Sequence, residues 1–147
     1  MGLDAYVNTF GAVCKARYGT RLRKLTIDAK FTCPNRDGTM GRGGCTFCNV
    51  ASFSHQTADV LSITEQLEQG KSRYREAKPQ AQADKFIAYF QAYTSTYDEY
   101  QVLMAKYDEA VKDGEIVGLC VGTRPDCVPD NVLDLLASYQ ANGVDVW

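Results

Sequence analysis

The sequence predicts an α/β fold in which parallel strands alternate with the helices that cover them. Two patterns carry this expectation. Short apolar, β-favouring runs recur at residues 25–27, 86–91, 116–121 and 144–147, and the stretches between them place apolar residues at helical spacing. The composition agrees: 147 residues with 45% hydrophobic and 23% charged side chains can bury a sizeable core in one domain at most.

Taken in order, Leu3, Tyr6, Val7, Phe10, Val13 and Cys14 line one face of an N-terminal helix expected over residues 1–20, with Gly19 placed to end it. Cys14 lies on that face and reads as a buried small hydrophobe. The run Leu25-Thr26-Ile27 leads into a loop rich in cysteine and glycine. Ser62-Ile63-Thr64-Glu65 then fits a capping box, starting a helix that runs toward Lys78 and stops at Pro79. Lys71, Arg73, Arg75 and Lys78 read as a solvated face of this helix, with an RNA-contacting patch as the minority reading.

Residues 86–91 are continuously apolar until Gln91, as in a strand buried on both faces. Tyr100, Leu103, Met104, Tyr107 and Val111 mark the next helix, closed by Gly114. Residues 116–121 form another buried strand. Pro129-Asp130 opens a helix with Val132, Leu135, Leu136 and Tyr139 toward the core and Gly143 just beyond its end. The run Val144-Asp145-Val146-Trp147 is a fourth strand. A chain stopping on an apolar strand without a covering element leaves an unprotected edge. The expectation is therefore a single incomplete domain over 1–147, with strand–helix units over 24–147, forming the N-terminal part of a larger barrel or open sheet.

The net charge of −2 exerts no global pull toward nucleic acid or anionic lipid. No apolar run approaches the ~20 residues that span a bilayer, and the first residues lack the order of a secretory leader. A cytoplasmic location without membrane contact is the expectation. There the six cysteines stay reduced, so clustered ones point to metal or catalysis before disulfides.

Cys33, Cys45 and Cys48 form a C-x11-C-x2-C pattern directly after the first strand, where α/β folds place their ligand sites. Thiolates are soft donors that suit zinc, copper(I) or an iron–sulfur cluster. Pro34 fixes how the chain leaves Cys33, and the loop's glycines let the backbone wrap closely around a metal centre. On a four-iron cluster three thiolates leave one iron open, the mark of a catalytic site. The rival reading is a structural zinc site, non-catalytic, with His55 as the fourth ligand. Gly41-x-Gly43-Gly44 lacks the Lys-Ser/Thr of a P-loop. Cys120 and Cys127 read as a core thiol and a strand-end thiol, and the aromatics of residues 89–107 as core and barrel mouth.

The Cys45-Thr46-Phe47-Cys48 run resembles the radical S-adenosylmethionine (SAM) superfamily, and the wide first spacing resembles its Elongator-catalytic-subunit-like branch. Together with Gln91-Ala92-Tyr93-Thr94-Ser95-Thr96 and Gly122-Thr123-Arg124-Pro125-Asp126-Cys127, it looks very close to the YhcC-like bacterial proteins within that branch. The resemblance implies a partial (β/α) barrel of the TIM type, ending here in its fourth strand. It implies a [4Fe-4S] cluster on Cys33, Cys45 and Cys48, with SAM on the fourth iron. An electron from the cluster would cleave SAM to methionine and a 5′-deoxyadenosyl radical that abstracts hydrogen from substrate.

By the same resemblance Phe47 matches an aromatic near the adenine. Gln91 to Thr94 occupy the place of a glycine-rich turn against the SAM amino group, with Gln91, Ala92 and Tyr93 where relatives carry glycines. Thr123, Arg124 and Asp126 match a polar motif facing the same site, and Arg124 would meet the SAM carboxylate. A one-electron donor of flavodoxin or ferredoxin type is implied as partner. RNA enters as a substrate by family analogy alone. A fragment that binds the cluster without turnover is the further alternative.

Overall fold

The computed structural model describes residues 2, 5–49, 61–79 and 85–147. Helix α1 (Phe10–Tyr18) starts where the Thr9 hydroxyl accepts from the Ala12 amide, and it ends at Gly19 in the left-handed conformation, φ 73°. The helix predicted over residues 1–20 starts nine residues before α1. Tyr6 and Val7 precede the cap and are exposed, because apolar spacing alone does not mark where a cap interrupts it; Leu3 lies outside the described residues. The face that α1 does bury carries Phe10, Cys14 and Tyr18, packed with Leu22, Ile87 and Cys120.

Strand β1 (Arg23–Ile27) leads into a helical turn, α2 (Pro34–Asp37), and then α3 (Ile63–Ala77), β2 (Phe86–Phe90), α4 (Tyr100–Val111), β3 (Ile116–Val121), a 3₁₀ turn (Pro125–Cys127), α5 (Asp130–Ala141) and β4 (Asp145–Val146). The four strands form one parallel sheet in the order β1-β2-β3-β4. The α/β reading therefore holds, and the short α2 is an element that the sequence reading left within the loop.

Side-chain alternation explains why β2 reads as continuously apolar. Phe86, Ala88 and Phe90 join the core under α3, α4 and α5, while Ile87 joins the cluster under α1. Both faces of the sheet are covered. The predicted capping box on α3 is present: the Glu65 amide donates to Ser62 Oγ and the Ser62 amide to Glu65 Oε2. The basic stretch of α3 is not a solvated face at Lys71, which is 3% exposed and lies among Glu68, Asp113 and Glu115. Carboxylates from the turn before β3 draw it inward, and sequence spacing within one helix cannot show them.

The fourth strand lies at one edge of the sheet, as expected, and side chains of α1 reach it. Tyr18 donates to Asp145 Oδ2 at 2.7 Å, Arg17 pairs with the same carboxylate, and the Phe10 and Trp147 rings meet edge-on at 4.9 Å. Among the described residues no helix is long and apolar enough to cross a membrane.

Candidate functional site

The parallel sheet places the ends of β1, β2 and β3 side by side, so the segments that follow them meet at one edge. Cys33 caps α2 in an extended conformation, with Pro34 as the first helical residue, where its missing N–H costs nothing. Gly38 then ends the turn at φ 97°, a left-handed value that side chains resist. The loop folds back on this turn. The amides of Met40 and Gly41 donate to the Pro34 carbonyl, and that of Gly44 donates to Asn35 O at 3.0 Å. Thr94, after β2, donates its amide to Thr32 O at 3.1 Å and so ties the second strand end to the first.

These contacts bring Cys33, Cys45 and Cys48 to the lining of one cavity of about 280 Å³, together with Phe47, Tyr93, Thr94 and Arg124. Cys33 and Cys45 are half-buried and Cys48 is exposed. Two nitrogen donors address the sulfurs: Asn35 Nδ2 lies 3.1 Å from Cys45 Sγ, and Arg124 Nη1 lies 3.8 Å from Cys33 Sγ. Burial pushes the Cys33 thiol up, but hydrogen bonds from the Thr94 hydroxyl, the Asn35 backbone and Arg124 outweigh it and hold the group below its ordinary value. That favours thiolate, the form that binds metal. Among the described residues no three His, Cys, Asp or Glu side chains converge as a ready metal site. The donor set nonetheless fits a thiophilic centre, because three soft ligands share one cavity with N–H groups directed at two of them.

Of the other predicted residues, Phe47 is 87% exposed on the cavity rim and Thr94 is buried against it. Gln91 and Thr123 are not among the lining residues. Thr123 instead shares a hydrogen bond with Thr96, whose hydroxyl donates to the Cys127 carbonyl. His55 lies outside the described residues. Cys14, Cys120 and Cys127 are buried thiols away from the lining, as expected.

Sequence reasoning missed Arg36 and its pairing with Tyr93. The Arg36 guanidinium stands 4.5 Å from the centre of the Tyr93 ring, and both line the cavity. Tyr93 holds φ 60°, a rare value for an aromatic residue, and backbone strain of this kind clusters at active sites and ligand clamps. Tyr93 was legible as part of the motif after the second strand, but its pairing with Arg36, distant along the chain, was not. Beyond Arg124 lies a second, more open cavity of about 740 Å³, lined by Thr32, Met40, Tyr97, Asp98, Glu99 and Asp126 among others. Arg124 borders the first cavity and Asp126 the second, so their ion pair stands between them.

The chain is 54% identical over all 147 residues to the protein YhcC of Escherichia coli strain K12, and the match covers 46% of that protein. It is 39% identical over 127 residues to the uncharacterized protein YtqA of Bacillus subtilis, covering 84% of this chain and 38% of the relative. A protein of Methanocaldococcus jannaschii is 30% identical over 142 residues, which are 94% of this chain and 41% of the relative. The chain thus spans less than half the length of each of these curated relatives. No family model and no solved structure matches it.

Proposed function

We propose that this chain is the cluster-binding part of a radical SAM enzyme, built as the first strands of a partial (β/α) barrel. One observation carries the reading: the three cysteines of the C-x11-C-x2-C pattern line a single cavity at the C-terminal edge of a parallel sheet, where such sheets hold their ligands. Cys33, Cys45 and Cys48 would hold a [4Fe-4S] cluster. When bound, the cluster and SAM supply one-electron cleavage of SAM to a 5′-deoxyadenosyl radical. This chain's residues orient and shield. Asn35 and Arg124 donate toward sulfur, Thr94 ties two strand ends together, and Phe47 offers an apolar face at the rim. A one-electron donor is the partner this chemistry needs.

Anaerobic reconstitution with iron and sulfide tests the reading. The expected product is brown, with about four irons per chain. Cys33→Ala, Cys45→Ala and Cys48→Ala should each lose it, while Cys14→Ala and Cys120→Ala keep it. A colourless protein holding one tight zinc would replace this reading with the structural metal module. Comparing SAM cleavage by this chain and by a version extended beyond Trp147 separates a catalytic unit from one that only binds the cluster.

A further inference from the structure

The guanidinium of Arg124 is already engaged on two edges. Its Nε and Nη2 donate to the two carboxylate oxygens of Asp126 at 2.9 and 2.7 Å, a bidentate fork that fixes the plane of the group. In that plane the remaining nitrogen, Nη1, lies 3.8 Å from Cys33 Sγ, and Nη2 also lies 3.7 Å from Met40 Sδ. Asp126 takes the Nε/Nη2 edge and leaves Nη1 directed at the sulfur.

The turn beneath Asp126 is held by hydrogen bonds. It sits in the 3₁₀ turn Pro125–Cys127, whose Cys127 amide closes back onto Arg124 O at 3.0 Å. The Cys127 side chain is buried, and its carbonyl accepts from the Thr96 hydroxyl. The charged pair itself is open to solvent, with side chains 27% and 48% exposed, so changing either member leaves no buried charge behind.

We propose that Asp126 is a positioning residue that aims Arg124 at the Cys33 sulfur, making Arg124 a sulfur hydrogen-bond donor. The positioning is independent of metal; its consequence rests on the reading of Cys33 as a cluster ligand. N–H groups directed at sulfur draw charge from it and favour the reduced state, so they raise a cluster's potential. Asp126 would thereby set the poise of the centre from outside the cavity.

Two measurements test this. In metal-free protein labelled with ¹⁵N-arginine, Asp126→Asn should speed solvent exchange of the Arg124 Nε–H several-fold, and Asp126→Glu should largely restore protection. Cys33→Ala should leave that signal in place while moving Nη1. Unchanged exchange in Asp126→Asn overturns the positioning. In reconstituted protein, Arg124→Gln should lower the midpoint potential, and Asp126→Asn, whose lost negative charge by itself raises it, should raise it less in the wild type than in the Arg124→Gln background, with Asp126→Glu close to wild type. Equal effects of Asp126→Asn in the two backgrounds overturn the role of Asp126, and a potential unmoved by Arg124→Gln overturns the donor role. Failure to take up iron would overturn the proposed function, and the exchange measurement would then decide the positioning by itself.

Discussion

Lys71 of α3 places its ammonium 2.6 Å from Asp113 Oδ2 and 2.8 Å from Glu115 Oε2, in the turn that delivers the chain into β3. A nearly buried cation thus pins a helix to the start of a core strand, with Glu68 closing the set from the same helix. Removing the cation strands carboxylates that are only partly exposed. Lys71→Ala should therefore cost about 2–3 kcal/mol, below the full penalty of a wholly buried pair because water reaches the acids. Lys71→Met, which keeps the apolar stem, should recover part of the loss. Urea midpoints at unchanged slope measure both.

The same network predicts an acid limb. The hydrogen bond from Lys71 holds the Glu115 carboxyl below its ordinary 4.5, against burial and with help from Arg75. A group lowered on folding stabilises the native state fully above its unfolded value, and that stabilisation is lost as pH falls through the folded value. Lys71 has the opposite sign. Burial pulls it down, but its bonds to Asp113, Glu115 and Glu68 win and raise it, so its contribution fades only above its ordinary 10.5. The stability gap between wild type and Glu115→Gln should shrink as pH falls below the ordinary 4.5. A constant gap would refute the assignment.

Gly118 faces the last strand so closely that an added Cβ would stand 2.8 Å from the Asp145 carbonyl oxygen. The obstacle is backbone and cannot rotate away. Gly118→Ala should push β4 off β3 at a cost of about 1–3 kcal/mol. Amide exchange should report it at Val121 and Trp147, whose N–H groups pair across these strands, while Ile87 under α1 and Leu103 in the main core stay protected.

Tyr93 sets two terms against each other. Its left-handed backbone costs about 1–2 kcal/mol, and the Arg36 guanidinium over its ring returns about 0.5–1 kcal/mol. Tyr93→Gly should therefore be close to neutral, because strain and contact vanish together. Tyr93→Ala keeps the strain and loses the contact, so it should be less stable than the glycine variant by about 1 kcal/mol. Equal thermal midpoints for the two would show that the backbone is not strained.

Much of the architecture was legible because burial imposes periodicity. The two-sided burial of β2, the core face of α4 and the capping box of α3 each follow from residues near one another in sequence. The start of α1 was misjudged because Tyr6 and Val7 continue an apolar rhythm past the Thr9 cap. Lys71 was misjudged because its burial depends on acids from another element.

The sequence alone determined an α/β chain, the position of its cysteine loop after the first strand, and a thiolate-rich donor set, since residue type and spacing express these directly. Only the tertiary structure decided that Cys33, Cys45 and Cys48 share a cavity with Tyr93 and Arg124, and that Asp126 holds the Nε edge of Arg124. The reason is physical. A parallel sheet brings together the ends of strands separated by whole helices, and hydrogen bonds between those ends depend on orientation, which no one-dimensional pattern carries.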